Sequence, residues 1–229
     1  MKAMKAIIGI VTLMLISIFT ITAQTEIGVR TGVAFNNGNI SGAVGDILPD
    51  TKSYFGYSIG VYADIAMNGS FSFHPELAFT SKGFRMNQGT NFGLLGIDIP
   101  FGVSAVTNMK YIETLALMRY KIGSGPIRVF VEAGPGIGYA TSAYIQPKAI
   151  LLLEFNLPQI DIDLSGDTYN KTDFTANIGT GIEYDTGQGI LGANIRYSHG
   201  LVNVLNDPLI NTRVTHQLIN VGVSYGMRF

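Results

Sequence analysis

Along most of the chain, apolar and polar residues alternate at period two, the mark of half-buried β-strands rather than helices. Ile27, Val29, Thr31, Val33 and Phe35 share one face, and Glu26, Gly28, Arg30 and Gly32 the other. The pattern recurs from Phe55 to Ile65, Phe71 to Lys82, Arg128 to Tyr139, Asp173 to Tyr184, Leu191 to Ser198 and Ile219 to Phe229. A further segment, Lys110 to Tyr120, is less regular: if Glu113 and Arg119 share a face, Leu115 and Leu117 must join them. The spacing predicts eight strands. On these strands the apolar face carries no charge, while the other is polar or glycine.

Connections between the strands alternate in length. Tight turns are predicted at Met67-Asn68-Gly69-Ser70, Gly123-Ser124-Gly125-Pro126 and Asp185 to Gln188. Long loops are predicted over about residues 36–53, 85–109, 141–171 and 202–213. Aromatics on the apolar face gather near strand ends: Phe35, Phe55, Tyr57, Phe79, Tyr139, Phe174 and Tyr197 at one end, and Phe71, Phe73, Tyr184 and Phe229 at the other. Short turns at one end, long loops at the other and two aromatic girdles around an aliphatic band describe an outer-membrane barrel. A water-soluble barrel has no use for that banding. The fold expected is all-β: a transmembrane antiparallel up-and-down β-barrel of eight strands, its apolar face against lipid and both termini on the periplasmic side. Two apolar runs inside long loops, Phe92 to Ile97 and Ile150 to Phe155, either pack over the mouth, extend the hairpins, face a partner, or add strands to make ten.

Composition agrees with a lipid-solvated protein. Apolar residues are 47% of the 229 and charged residues 14%, where a soluble domain carries about 25%. The absence of cysteine excludes disulfides, thiolate metal sites and a cysteine nucleophile. A net charge of −1 offers no basic surface for nucleic acid. Met1 to Ala23, with two early lysines and an apolar run from Ala6 to Thr20, reads as a secretory signal cleaved before Gln24. The run falls short of the roughly 20 residues that span a bilayer. The chain thus divides into a leader, 1–23, and a barrel domain, 24–229.

The final strand ends on Phe229, with apolar residues at every second position back to Ile219, including Tyr225 and Met227. It resembles the C-terminal signal by which bacterial barrels are taken up by their insertion machinery. The stretch from Tyr111 to Tyr120, Tyr-Ile-Glu-Thr-Leu-Ala-Leu-Met-Arg-Tyr, followed by Val131 to Tyr139, Val-Glu-Ala-Gly-Pro-Gly-Ile-Gly-Tyr, is similar to the small outer-membrane β-barrel family of Bacteroidota often labelled PorT-like. Thr114 stands where that family's proline is expected. The resemblance implies a barrel in the outer membrane of a Gram-negative bacterium, spanning nearly the whole mature chain. One named member is associated with type IX protein secretion, a role the resemblance does not transfer.

Eight strands enclose a space that side chains can fill. The inward set holds Arg30, Lys82, Arg119, Arg128, Arg196 and Arg228 against Glu26, Asp64, Glu76, Glu113, Glu132 and Glu183. Because buried charges must be paired, a plug of ion pairs is expected rather than an open pore. The inward glycines leave room for long arginine and tyrosine side chains, and Pro75 and Pro135, on strands without a free edge, predict bulges. His74 lies beside Glu76 on the inward face near the periplasmic turn, and a packed, hydrogen-bonded role is expected. His199 and His216 are expected near the outer rim with Ser198, but no acid is placed to complete a catalytic set. Asp161, Asp163, Ser165 and Asp167 match the first half of a calcium loop, with Gly166 at its sixth position. Thr172 occupies the twelfth position, where a bidentate glutamate belongs. Calcium is therefore the single cofactor to test. The function expected is non-enzymatic: a plugged barrel whose external loops meet partners, as an interaction or accessory subunit of an envelope assembly. A narrow solute channel is the alternative, and an outer-rim enzyme the third reading.

Overall fold

The structure is a computed structural model; it describes residues 25–42, 51–94, 97–151, 153–164, 170–203 and 212–229. The signal segment lies outside them. The elements are β1 (Thr25–Gly42), β2 (Thr51–Lys52), β3 (Tyr54–Asn68), β4 (Phe71–Leu94), β5 (Ile97–Ile122), β6 (Ile127–Leu151), β7 (Leu153–Asn156), β8 (Ile160–Ile162), β9 (Thr172–Asp185), β10 (Ile190–Gly200) and β11 (Thr212–Arg228). Eight long strands form a ring in the order β4-β3-β1-β11-β10-β9-β6-β5, closed by the pairing of β4 with β5. β2 pairs with β4, and β7 and β8 with β6. The seam between the first and last strands runs from Glu26↔Arg228 to Gly42↔Thr212. Closure leaves these eight strands no free edge where they are paired on both sides.

The exposed face of the ring is apolar and the enclosed face polar, the inverse of a soluble barrel. Ile178 is 62% exposed and Val29 56%, whereas Lys82 and Glu132 are 1% and 2% exposed. In water that exposed band would be unstable; in hydrocarbon it is solvated. Gly69, Gly123 and Gly187, with φ of 51°, 114° and 82°, turn the chain at the three tight connections. Two inward glycines make space for rings: a Cβ on Gly28 would lie 2.5 Å from Tyr62 Cζ, and one on Gly181 2.5 Å from Phe130 Cζ.

The ring has eight strands, not ten. The segment over 85–109 is no loop, because β4 and β5 pair continuously from Phe71↔Tyr120 to Leu94↔Ile97. The apolar runs extend hairpins beyond the ring: Phe92 pairs with Ile99, and Ile150 with both Gly102 and Glu154. The expected bulges at Pro75 and Pro135 are absent. The β3–β4 register is unchanged across Pro75, from Tyr62↔Glu76 to Ile65↔Phe73, and the β5–β6 register across Pro135, from Leu115↔Gly136 to Met118↔Ala133. Each proline keeps its partner on the other side, Pro75↔Ala116 and Pro135↔Ala176. Successive N–H groups point to alternate neighbours, so a missing donor opens one ladder and spares the other.

Register shifts fall instead beside the tight turn, between Ala66 and Asn68 on β3, and at Thr141, which is extra between Lys110↔Ser142 and Tyr111↔Ala140. Its Oγ1 donates to the Lys110 carbonyl at 3.0 Å. On the periplasmic side of this point Tyr111, Glu113, Leu115, Leu117 and Arg119 are buried; on the outer side Ser104, Val106 and Asn108 are. The buried set on β5 passes from odd to even positions at this height, while the extra residue, Thr141, lies on β6 and β5 keeps its register with β4.

Candidate functional site

The site is the lumen, built from the polar faces of all eight long strands. At the periplasmic end Lys121 meets Asp64 at 2.9 Å and Glu183 at 3.1 Å, and Arg128 meets Glu183 at 3.4 Å. One layer in, Arg119 bridges Glu132 at 2.8 Å, Glu183 at 3.1 Å and Asp64 at 3.4 Å, with its guanidinium carbon 4.1 Å from the centre of the Phe130 ring. Arg196 then links Glu132 and Glu76, each at 2.8 Å. Arg30 reaches Glu76 at 3.4 Å, donates to Asn194 Oδ1 at 3.1 Å, and donates to Asn220. Nearer the outside, Lys82 is held between Glu113 at 2.7 Å and Asp173 at 2.8 Å, over the Tyr111 ring. Glu26 accepts from the Tyr62 hydroxyl at 2.7 Å.

These pairs cross the lumen from strand to strand. Unit charges taken out of water cost several kcal/mol each, and their attraction offsets this only when lone pairs and protons are used up. The shared carboxylates meet that condition: Glu132 serves two arginines through its two oxygens. Between Arg30, Arg196, Ser198, Asn177 and Asn220 a cavity of about 20 Å³ remains, room for a single water. Arg196 Nη2, on its lining, has no hydrogen-bond partner among the described residues. Above the charges, Met109, Tyr111, Ala140 and Ala143 form an apolar cluster against Ile162 and Leu164. The periplasmic mouth is wider, a recess of about 360 Å³ among Glu26, Asp64, Lys121, Arg128 and Asp185.

Of the expected lumen set, Arg30, Asp64, Glu76, Lys82, Glu113, Arg119, Glu132, Glu183 and Arg196 are brought together in this buried web. Arg128 sits at its edge. Arg228 departs from the expectation: it is exposed at the periplasmic rim and pairs there with Asp185. Gly187 N–H, donating to Asp185, and then Arg228 hold that carboxyl below its ordinary range. His74 is wholly buried, its Nδ1 3.1 Å from Asp64. Sequence reasoning left Lys121 and Asp173 out of the charge set. Lys121 continues the parity of Arg119, and Asp173 shares the polar face of β9 with Asn177; both signals were there to read.

The rim residues do not converge. His199 lies on the outward face, its Nδ1 3.2 Å from the Tyr197 hydroxyl, whereas His216 is buried inside against the Tyr111 ring. Ser198 donates to Asn177 Oδ1 at 2.6 Å. In the calcium-like stretch Asp161 and Asp163 are exposed, and Gln159 donates to Asp161 at 2.6 Å; Ser165 and Asp167 lie outside the described residues. No group of three or more His, Cys, Asp or Glu placed for a metal occurs among the described residues. Tyr225, Met227 and Phe229 stand on the outward face of the last strand.

Three solved structures similar to this chain are distant from it. Neisserial surface protein A is 14% identical with a TM-score of 0.37, covering 86% of this chain and 95% of that one. Ail, the attachment invasion locus protein of Yersinia pestis, is 12% identical with a TM-score of 0.39, covering 88% and 99%. OprG from Pseudomonas aeruginosa is 12% identical with a TM-score of 0.43, covering 90% and 96%. No curated protein matches the sequence. The family described as outer membrane protein beta-barrel domain matches residues 22–206. With a closed ring whose outer face is apolar and whose charges are buried, that match places the protein: it belongs to the outer-membrane β-barrel domain family, in the outer membrane of a Gram-negative bacterium.

Proposed function

We propose that this barrel does not conduct and works as an outer-membrane scaffold whose external hairpins bind a partner, as an accessory subunit of an envelope assembly. The observation that carries the reading is the chain of ion pairs from Lys121 through Arg119, Glu132 and Arg196 to Arg30, with about 20 Å³ of free space beside its Arg196–Arg30 end. A permeating solute would have to break several buried pairs, each costly to separate. The outer part of the chain supports the partner half of the proposal. Val103, Phe155, Leu157 and Ile160 are each more than two-fifths exposed on or beside the extended hairpins, and apolar groups left exposed outside a membrane mark contact surfaces. The Bacteroidota, PorT-like affinity of the Tyr111–Tyr139 region belongs to the same proposal, as does delivery by the barrel-insertion machinery through Tyr225, Met227 and Phe229. Catalysis has no part in it.

Planar-bilayer recording of the refolded barrel tests the closed lumen. Baseline current without unitary steps is the expected result; stable steps would overturn it in favour of a narrow channel. Capture from mild detergent tests the partner: a defined envelope protein held by the wild type and lost on Phe155→Ser with Ile160→Ser supports the scaffold, and unchanged capture refutes the surface.

A further inference from the structure

We propose that a notch in the outer part of the barrel wall binds the phosphate group of an outer-leaflet lipid. β6 keeps β9 as its neighbour as far as Tyr139↔Thr172 and takes up β8 at Ala143↔Ile162. Between these points the described residues provide no cross-strand pair, and one backbone bond, from Ala140 N–H to the Lys171 carbonyl at 2.8 Å, spans the gap. On its other edge β6 is distorted at the same height by the Thr141 bulge. The result is a groove of about 740 Å³ lined by Lys110, Tyr139, Thr141, Ser142, Tyr144 and Lys171, among others. Its floor is Ala140 and Ala143, packed on the apolar cluster that roofs the lumen.

Position and chemistry select the ligand. Tyr139 is outward-facing and belongs to the outer aromatic girdle, which marks headgroup depth. Two lysines at that depth meet phosphates, for which an ammonium is a strong point-charge partner. Lys110 Nζ stands 6.0 Å from the centre of the Tyr144 ring, within cation–π reach. The acids of the groove, Asp161 and Asp163, lie on the flank of β8. Asp161 faces Tyr144, and the Lys171 carbonyl faces Ala140, so the lysine side is nearer the membrane. Asp161 already accepts from Gln159. A phosphate rising from the leaflet meets Lys110 and Lys171 first, while the exposed Tyr139 ring takes the apolar part of the lipid.

Native mass spectrometry of the detergent-released barrel tests this with three probes: phosphatidic acid, diacylglycerol of the same chains, and inorganic phosphate. The wild type should retain phosphatidic acid over diacylglycerol. Lys110→Gln with Lys171→Gln should lower that retention about tenfold or more, near-surface lysines each contributing about 1 kcal/mol toward an anionic lipid. Lys148→Gln, farther out on β6, should leave it unchanged, and all variants should keep the electrophoretic shift of a folded barrel. Equal retention of the two lipids, or no loss in the double variant, would overturn the site. Inorganic phosphate competing at equal concentration would overturn its assignment to a lipid.

Discussion

Replacing Glu132 by Gln removes one charge from the centre of the lumen and changes the side-chain volume little. Its two oxygens each receive a guanidinium Nε, from Arg119 and Arg196, at 2.8 Å. After the change both arginines remain buried, and the amide nitrogen turns a donor toward one of them. Arg196 keeps Glu76 at 2.8 Å, and Arg119 keeps Glu183 at 3.1 Å and Asp64 at 3.4 Å. A hydrogen bond to a charged group contributes about 1.5–3 kcal/mol, and breaking a buried pair by removing one partner costs about 3–5 kcal/mol. With a second carboxylate still serving each arginine, the lower figure applies, and a loss of about 3 kcal/mol is expected. Equilibrium urea unfolding in lipid vesicles measures it, with the wild type and a lipid-face control, Ile178→Val, run in parallel. The control should lose much less, since hydrocarbon replaces the missing methyl. A loss below about 1 kcal/mol for Glu132→Gln would mean that water already screens these charges. The closed-lumen argument would then fail as well.

Three further outcomes follow from the same geometry. Arg228→Gln should leave the unfolding midpoint unchanged within error, because its pair with Asp185 is at the exposed rim; a shift as large as that of Glu132→Gln would contradict the division between rim and lumen. Ile178→Arg, on the lipid face at mid-strand, should cost about 2–4 kcal/mol in vesicles, and a neutral result would put that face against water. Gly181→Val should lower the folded yield, since its Cβ would fall 2.5 Å from both Phe130 Cζ and the Ala193 carbonyl. Partial rescue by Phe130→Ala, scored by the gel shift of folded barrel, would tie that part of the loss to the ring, the Ala193 carbonyl contact remaining.

Much of the site was legible before any coordinates, because a strand declares its faces locally. Arg119 and Glu113 could be assigned inward with Leu115 and Leu117 on parity alone, and all four are buried. Parity could not report its own interruption. The buried set on β5 changes from odd to even positions near Met109, so the outer polar group of Ser104 and Asn108 was hidden behind an apparent loop. The prolines misled for a related reason: a missing donor was read as a break in register, whereas the intact ladder on the opposite side carries the register past it. Arg228 shows the limit at strand ends, where an inward parity still leaves a long side chain free to reach the rim.

Period-two alternation, the alternating connection lengths and the aromatic banding decided by themselves that this chain is a barrel, which side of it meets lipid, and which charges face inward. These are properties of single strands and their ends, so neighbouring residues suffice to encode them. Which arginine holds which carboxylate was decided only by the closed ring. Arg196 meets Glu132 from 64 positions away and Arg30 meets Glu76 from 46, contacts that depend on the register of every ladder between them. Stagger accumulates around a barrel, and it has no signature in any one strand.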